Sequence, residues 1–267
     1  MSYETLSCSF PMPGILEIAL NRPEIRNAFN EKMIEELSRV FTREAMDASV
    51  RAVVLRGNGS VFCAGGDLNW MRKSIELTLE GNLEDTLTLT RMFETMNEFP
   101  KPLVGVIHGA AIGGGVGLVS VCDIVLAEKE TVFSLSEVRL GVVPACIGPF
   151  VTSKIGASRA RALFISAERF KADKAKEAGL VHEVFGTRAE LDAHLNSLLG
   201  NLLECGPNAM AVAKQLVLDL TWPEKRARIP DCIEHVARTL AELRVRPEAQ
   251  EGVTAFLEKR KPRWIQS

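Results

Sequence analysis

The sequence predicts an α/β protein in which strand-strand-helix units repeat and stack into one core. Two observations support this fold class. Short, continuously apolar runs alternate with glycine-rich turns and helical patterns, and such runs are typical of strands in a sheet covered on both faces. Beyond Ala157 the pattern is mostly helical, which predicts a C-terminal helical layer over the core or over a neighbouring subunit.

The first elements are a strand, a loop and an amphipathic helix. The segment GILEIAL (14–20) alternates like a strand, and NRPEIRNAF follows with the proline, asparagines and charges of a loop. From Asn30, a suitable N-cap, apolar residues recur at helical spacing as far as Phe41. A second strand, VRAVVLRG (50–57), leads through VFCAGG into one long helix predicted from about Leu68 to Asn97.

The same patterns then recur along the chain. PLVGVIHG predicts a buried strand, AAIGGG a glycine turn, VGLVSVCD a helix, and IVLAE and TVFSL two further strands. The later part is helical apart from one strand candidate, LVHEVF, and a connection, TWPEKRARIPD; it includes a helix from Glu234 to about Arg244 and the segment PEAQEGVTAFLEKRKPRW. We therefore expect a core over residues 1–200 and a C-terminal helical region over residues 201–267.

Composition indicates an ordinary soluble globular protein. The net charge of −2 does not favour a nucleic-acid surface, and no apolar run reaches the roughly 18 residues that a membrane span needs. The six cysteines form no CxxC pair and no cluster with histidine, so we expect small buried thiols and no metal. The first residues, MSYETLSCSFPMPG, lack the pattern of a signal peptide, and the cytoplasm is the expected location.

Two glycine loops are the first candidates for chemistry. Gly65-Gly66 and Gly113-Gly114-Gly115 each follow an apolar strand and precede a helical pattern. In that position backbone N–H groups point outward, with the positive end of a helix dipole behind them. A tight turn is enough to explain either loop alone, but two such loops brought together would bind one developing oxyanion.

Two other site types fit the sequence poorly. GAAIGGG superficially resembles a phosphate loop, but the chain has no GxxxxGK[ST], and GAAIGG lacks the GxGxxG spacing with an acidic residue some twenty positions on. A serine hydrolase is disfavoured because no GxSxG occurs. His108 is better explained as a packed histidine of the strand before the glycine turn than as a catalytic base.

Four segments occur in a recognisable order along the chain: VFCAGGDL, KPLVGVIHGAAIGGGVGL, CDIVLAEKETVFSLSEVRLGVVP and FLEKRKPRW. Together they resemble the enoyl-CoA hydratase/isomerase (crotonase) family, and the resemblance covers nearly the whole chain from about Gly14. It implies a crotonase-like (ClpP/crotonase) spiral with a C-terminal helical layer. GGDLNWMRKS and SEVRLGVVPACIGPFV are similar to bacterial methylglutaconyl-CoA hydratase-like members, although the usual PGxGGT is here PACIGPF.

The resemblance implies an oxyanion hole formed by the backbone N–H groups of Gly66 and Gly114, gripping the thioester carbonyl of an acyl-CoA. An enolate-like intermediate next to a thioester gains about 3 to 4 kcal/mol from each such donor. Of the two glutamates that family hydratases use, the second maps onto Glu137 and the first onto Gly117. Gly117 would face the same site with no side chain, which we expect to leave the pocket larger and less negative.

This departure leaves more than one activity open. The preferred activity is hydration of a short or branched 2-enoyl-CoA, with methylglutaconyl-CoA as one candidate, by a single acid/base at Glu137. The alternative is an isomerase that converts a 3-enoyl-CoA to a 2-enoyl-CoA with the same glutamate. An alternative of another class is a catalytically silent scaffold or binding subunit, although the retained Glu137 and glycine loops argue against it.

The resemblance also implies how substrate and neighbours bind. Coenzyme A enters as part of the substrate, no other cofactor is implied, and the chain is expected to form a homotrimer or a dimer of trimers. Phe256 and Lys259 match positions that reach a neighbouring subunit's ligand. Arg72, Lys73 and Arg139 could balance a substrate carboxylate, although each is more simply a solvated surface cation. The residues expected near coenzyme A in the same subunit are Arg26, Ala28, Ala64, Asp67 and Leu68.

Overall fold

The computed structural model describes residues 3–229 and 231–265, and its centre is a six-stranded sheet. The first strand pairs with the second in antiparallel fashion, and all the other neighbours are parallel. In their spatial order the strands are β1 (Leu6–Met12), β2 (Ile15–Leu20), β3 (Ala52–Gly57), β4 (Leu103–Ile107), β6 (Ile124–Glu128) and β9 (Glu183–Phe185).

The structure also contains a second sheet of three strands. Two of them directly follow strands of the central sheet along the chain. This second sheet contains β5 (Ala110–Ile112), β7 (Val132–Ser134) and β8 (Arg169–Lys171), with β7 in the middle. The chain thus runs from β4 into β5 and then into a helix, and from β6 into β7 and then, through a short 3-10 turn, into another helix. This confirms the predicted strand-strand-helix units.

The helices occupy the predicted regions, with some changes of boundary. None of those in the described ranges has the length and apolar character needed to cross a bilayer. They are α1 (Glu31–Thr42), α2 (Leu68–Glu76), α3 (Leu79–Asn97), α4 (Gly114–Val121), α5 (Gly148–Ser166), α6 (Ala172–Ala178), α7 (Arg188–Glu204), α8 (Pro207–Thr221), α9 (Pro223–Arg226), α10 (Cys232–Arg244) and α11 (Pro247–Leu257).

The prediction of one helix from Leu68 to Asn97 is wrong, because the chain breaks after α2. Leu77 is extended, and the Thr78 hydroxyl caps the start of α3 by accepting from the Gly81 N–H. The Asn82 side chain donates to the carbonyls of Ser74, Leu77 and Thr78 and so satisfies the end of α2. Local polar side chains therefore stabilise two helices where the apolar periodicity indicates one.

Both faces of the central sheet are buried, as the continuous apolar strands predict. Along β3, Val53 and Leu55 face the larger core with α1, α3 and α4, whereas Ala52 and Val54 face a smaller core. That smaller core is closed by one face of α7, through Leu191, Leu195 and Leu199. The glycine loops belong to the larger core, so α7 lies on the opposite side of the sheet from them.

Strand β1 has no counterpart in the sequence prediction, because LSCSFPM alternates weakly and contains a proline. Tertiary hydrogen bonds hold its start in place. The buried Glu36 carboxylate on α1 accepts from the N–H groups of Glu4 and Thr5 and from the Thr5 hydroxyl. A contact between residues some thirty positions apart is not visible in local periodicity.

The C-terminal region is helical, as predicted, and α10 begins two residues earlier than expected. Helix α10 begins at Cys232 because the Asp231 carboxylate accepts from the N–H groups of Ile233 and Glu234. The predicted connection at 221–231 contains the short helix α9, and its residue 230 lies outside the described residues. Residue 200 falls inside α7, and the division at that position stays a prediction.

Candidate active site

The two glycine loops lie side by side, joined by an isolated parallel bridge between Cys63 and Ala111. The Cys63 N–H donates to the Ala110 carbonyl and the Ile112 N–H donates to the Cys63 carbonyl, each at 3.0 Å. A Cβ atom on Gly115 would lie 2.7 Å from the Cys63 oxygen, so a larger residue there would separate the loops. The structure thus brings together two segments that are about fifty residues apart in sequence.

Phe29 connects the same two loops. Its N–H donates to the Gly65 carbonyl and its carbonyl accepts from the Asp67 N–H, both at 2.7 Å. Gly66 lies between Gly65 and Asp67, the two residues that are hydrogen-bonded to Phe29. In a parallel bridge of this kind the N–H of that middle residue points away from Phe29. In the described ranges no acceptor takes the Gly66 N–H. The Phe29 ring lies against the second loop, 3.0 Å from where a Cβ on Gly114 would be.

The second loop ends in the first turn of α4. Gly113 is the N-cap, with a φ of +52° that favours glycine, and its N–H donates to the Ser134 carbonyl at 2.9 Å. Gly114 is the first residue of the helix, so its N–H belongs to the group that has no partner within the helix. The dipole of α4 places partial positive charge at this end.

Glu137 lies over the start of α4. It opens the 3-10 turn Glu137–Leu140, and its Oε1 is 3.1 Å from where a Cβ on Gly113 would be. Its Oε2 is buried and has no hydrogen-bond partner within residues 3–229 and 231–265. Burial raises the pKa of Glu137 above its ordinary value of 4.5. A carboxyl group in this state is suited to both accepting and donating a proton near neutral pH.

The space beside Gly117 is filled, so the expectation that this glycine enlarges the pocket is wrong. A Cβ at position 117 would lie 2.3 Å from Cγ2 of Ile147 and 2.9 Å from the ring of Phe93. Ile147 and Phe93 are themselves buried, at 3% and 0% exposure. Apolar side chains therefore occupy the volume in which a side chain at 117 would begin.

The residues expected near coenzyme A in the same subunit lie together in the structure. The Ala64 N–H donates to the Arg26 carbonyl at 3.0 Å, which pairs the 26–29 loop with the 64–67 loop. Arg26 is exposed, with a φ of +56°, and Leu68 is 78% exposed at the start of α2. These residues therefore lie on two paired loops next to Gly66, with Ala28 and Asp67 buried between them.

Arg22 holds these two loops together, and the sequence prediction did not identify it. Its guanidinium donates to the Ala28 carbonyl at 2.7 Å and to the Asp67 carboxylate at 2.9 Å. Asp67 also caps α2 by accepting from the Asn69 N–H. Burial alone would raise the pKa of Asp67, but the hydrogen bonds from Asn69 and Arg22 outweigh it and hold the pKa below its ordinary value.

The predicted cations and His108 have other contacts in the structure. Lys73 forms an exposed ion pair with Glu31 at 2.8 Å, and the Arg139 guanidinium donates to the Ala167 carbonyl at 3.0 Å. Arg72 is exposed on α2. His108 is buried, with Nε2 3.0 Å from the Gly59 carbonyl, which agrees with a packed histidine.

Two predicted site residues lie apart from the glycine loops within this chain. Phe256 is 82% exposed near the end of α11, and Lys259 follows with a φ of +54°. Helix α11 packs on α8 and α10. Among the cysteines, Cys63 and Cys122 are buried as expected, whereas Cys205 is exposed.

Sequence and structure comparisons agree with this geometry. The family model for enoyl-CoA hydratase/isomerase matches residues 12–267. The 2,3-dehydroadipyl-CoA hydratase of Escherichia coli is 33% identical, over 93% of this chain and 94% of its own length. The peroxisomal Delta(3,5)-Delta(2,4)-dienoyl-CoA isomerase of Arabidopsis thaliana is 29% identical, over 94% of this chain and 92% of its own length.

Solved structures of two bacterial proteins match the fold of this chain closely. The crystal structure of an enoyl-CoA hydratase from Shewanella pealeana matches with a TM-score of 0.92 and 38% identity, covering 98% of this chain and 97% of that one. Pseudomonas aeruginosa AtuE matches with the same score and identity, covering 98% and 100% of the two chains. The molecule is therefore a crotonase-fold enzyme. The chain belongs to the enoyl-CoA hydratase/isomerase family.

Proposed function

We propose that the protein adds water to a short or branched 2-enoyl-CoA, with Glu137 as its single acid/base. The observation that carries the proposal is the position of the Glu137 carboxyl, which is buried against Gly113 at the N-terminus of α4. The N–H groups of Gly66 and Gly114 would bind the thioester oxygen as it becomes an oxyanion. The relatives named as hydratases support the same direction of reaction.

Glu137 and the two N–H groups would together carry out each step of hydration. The Glu137 carboxylate takes a proton from water while the water oxygen bonds to C3 of the substrate. The electrons of the double bond move toward the thioester oxygen, where two preorganised N–H donors stabilise the negative charge. The carboxyl then returns the proton to C2, so the enzyme ends in its starting state.

Isomerisation is the second candidate, favoured by the apolar packing at Gly117. Ile147 and Phe93 leave no room for a second carboxylate on that face of α4. One carboxylate is sufficient to take a proton from C2 of a 3-enoyl thioester and return it to C4, with the same enolate-like intermediate. Both candidates use the oxyanion hole and Glu137, so they differ only in the substrate that is offered.

The acyl chain we propose carries a carboxylate, as methylglutaconyl-CoA does. Adipyl in the name of the E. coli relative denotes an acyl chain that ends in a carboxylate. With glycine at 117, one negative charge is absent from the site, which reduces repulsion of such a chain. Lys73 is paired with Glu31 and the Arg139 guanidinium donates to the Ala167 carbonyl, so we propose Arg72 as the counter-charge.

A direct assay separates the candidates. Purified protein is offered crotonyl-CoA, a carboxylated 2-enoyl-CoA and a 3-enoyl-CoA, and the absorbance of the conjugated thioester is followed. Loss of absorbance with a 2-enoyl substrate identifies a hydratase, and gain with the 3-enoyl substrate identifies an isomerase. Equal or better turnover of crotonyl-CoA would contradict the carboxylated substrate.

Glu137→Gln tests the mechanism and the scaffold alternative together. We expect turnover to fall at least about 100-fold, because the amide cannot transfer the proton, with little change in coenzyme A binding. Unchanged turnover would remove Glu137 from the mechanism. Absence of turnover by the unaltered protein on all three substrates would instead favour a catalytically silent binding subunit.

For the rest of the substrate, we propose that Arg26, Ala28, Ala64, Asp67 and Leu68 contact coenzyme A. Phe256 and Lys259 would reach the coenzyme A of a neighbouring subunit in a trimer or a dimer of trimers. The exposed position of both residues supports this role. No further cofactor is needed by the proposed steps, and a cytoplasmic location is the one we propose.

A further inference from the structure

Positions 113 and 117 lie on one face of the start of α4, one helical turn apart. The Glu137 carboxyl is beside Gly113, and Ile147 and Phe93 are beside Gly117. One turn of helix corresponds to about 5.4 Å. A side chain at 117 would therefore begin about one turn along α4 from Gly113, next to which the Glu137 carboxyl lies.

Phe93 and Ile147, which fill the space beside Gly117, differ in how tightly their surroundings enclose them. Phe93 lies between two other rings, with centroids 6.1 Å from Phe29 and 5.9 Å from Phe150. Ile147 instead lies at the N-cap of α5, after the segment 141–146, in which four of the six residues are exposed. A single methyl carbon, Cγ2 of Ile147, makes the shortest approach, at 2.3 Å from a Cβ at position 117.

We propose that Ile147 is a specificity-determining residue of this site. Its Cγ2 methyl occupies the space in which a side chain at 117 would begin, and so excludes a second carboxylate from that face of α4. It thereby restricts the enzyme to reactions that one carboxylate can complete. The inference rests on the proposed function in one respect, that Glu137 is the acid/base.

The steric part is tested by the stability of variants at 117 and 147. Gly117→Glu alone should lower the Tm by about 10 °C or prevent folding, because the added Cβ overlaps Ile147. The pair Gly117→Glu with Ile147→Ala lacks the obstructing methyl and should recover at least about half of that loss. A matched pair, Gly117→Glu with Ile147→Val, keeps Cγ2 and should recover little.

Gly117→Ala provides the same test with the smallest side chain, in case the glutamate variants do not fold. Its Tm should fall, and Ile147→Ala but not Ile147→Val should restore it. Equal rescue by alanine and valine, or a Gly117→Ala protein as stable as the unaltered one, would overturn the steric part of the proposal.

The chemical part is tested by activity and its pH dependence. In the Gly117→Glu, Ile147→Ala protein a second carboxylate would be able to hold water. The rate of 2-enoyl-CoA hydration relative to 3-enoyl-CoA isomerisation should rise at least about tenfold over that of Ile147→Ala alone. A second ionisation should appear in the pH profile of kcat/KM for hydration. A folded double variant whose ratio and profile are both unchanged would overturn the proposal.

A further variant separates an error in the proposed role of Glu137 from an error in the proposed role of Ile147. Adding Glu137→Gln to the Ile147→Ala variant, which has no second carboxylate at 117, should abolish its activity if Glu137 is the acid/base. Retained activity would contradict the proposed function, whereas the stability results at 117 and 147 would still decide the steric contact. The two inferences can therefore fail separately.

Discussion

At the scale of single residues, Glu137 couples the chemistry of the site to the stability of the fold. Burial raises the pKa of its carboxyl in the folded protein above the ordinary value of 4.5. A raised folded pKa means that the folded state binds the proton more tightly than the unfolded chain. The stabilising contribution of the protonated carboxyl is therefore fully present below about pH 4.5 and is lost as the pH rises through the folded pKa.

This relation predicts that Glu137→Gln stabilises the protein at neutral and alkaline pH. The neutral amide avoids burying a charge, so the variant should have the higher Tm at pH 8, and the difference should shrink toward pH 4.5. Thermal unfolding of both proteins from pH 4.5 to pH 8 measures it. Glu177→Gln, at an exposed position on α6, is a suitable control, and a constant difference across this range would contradict the prediction.

Sequence alone predicts some of the candidate site residues and misses others for a physical reason. Gly66, Gly114 and Glu137 occur in recognisable local motifs, so their positions follow from the segments that contain them. Arg22 and Ile147 act through contacts with residues 45 and 30 positions away, at Asp67 and Gly117. No local pattern encodes such contacts. For this reason the sequence predicts an enlarged pocket beside Gly117, whereas in the structure Ile147 fills that space.

At the scale of elements, the 26–29 and 64–67 loops depend on one guanidinium. Arg22→Met removes its bonds to Ala28 and Asp67 and leaves a buried carboxylate without its cation. We expect a lower Tm and a kcat/KM reduced about 10- to 100-fold, because small displacements of positioned groups are costly. Exposed Arg161→Met on α5 should change neither, and an unaltered kcat/KM in Arg22→Met would show that the loop does not need this ion pair.

Helix α7 allows the stability of an element to be tested apart from the site. Thr187 and Glu190 form a reciprocal capping box at its start, and its apolar face closes the core on the other side of the sheet from the glycine loops. Thr187→Ala should lower the free energy of unfolding by about 1 kcal/mol with kcat unchanged. Denaturant unfolding and an enoyl-CoA assay check this, and a fall in kcat would mean that α7 influences the site through the sheet.

At the scale of the whole molecule, the layered architecture is predictable because it depends on repetition. Each apolar strand followed by a glycine turn and a helix gives the same local signal, and together these signals define a sheet covered on both faces. The edge strand β1 and the break at Leu77 are less predictable, since a few hydrogen bonds of Glu36, Thr78 and Asn82 decide them.

The exposed apolar side chains of the C-terminal helices predict that copies of the chain associate. In the single chain they are 61% to 82% exposed, and large exposed apolar patches are typical of protein interfaces. They are Ile233, Val245, Val253, Phe256 and Leu257. If the copies associate as the trimer or dimer of trimers proposed above, light scattering should give a mass three or six times that of one chain.

Phe256→Glu should shift the mass toward that of a single chain, because a carboxylate in an apolar interface is costly to bury. It should also raise KM for the acyl-CoA if Phe256 reaches a neighbour's ligand, while the pH at which Glu137 titrates in kcat stays the same. Phe10→Glu, on the edge strand, is the control and should leave the mass unchanged. A single-chain mass for the unaltered protein would contradict the association, and a lower mass with an unchanged KM would confine Phe256 to the subunit contact.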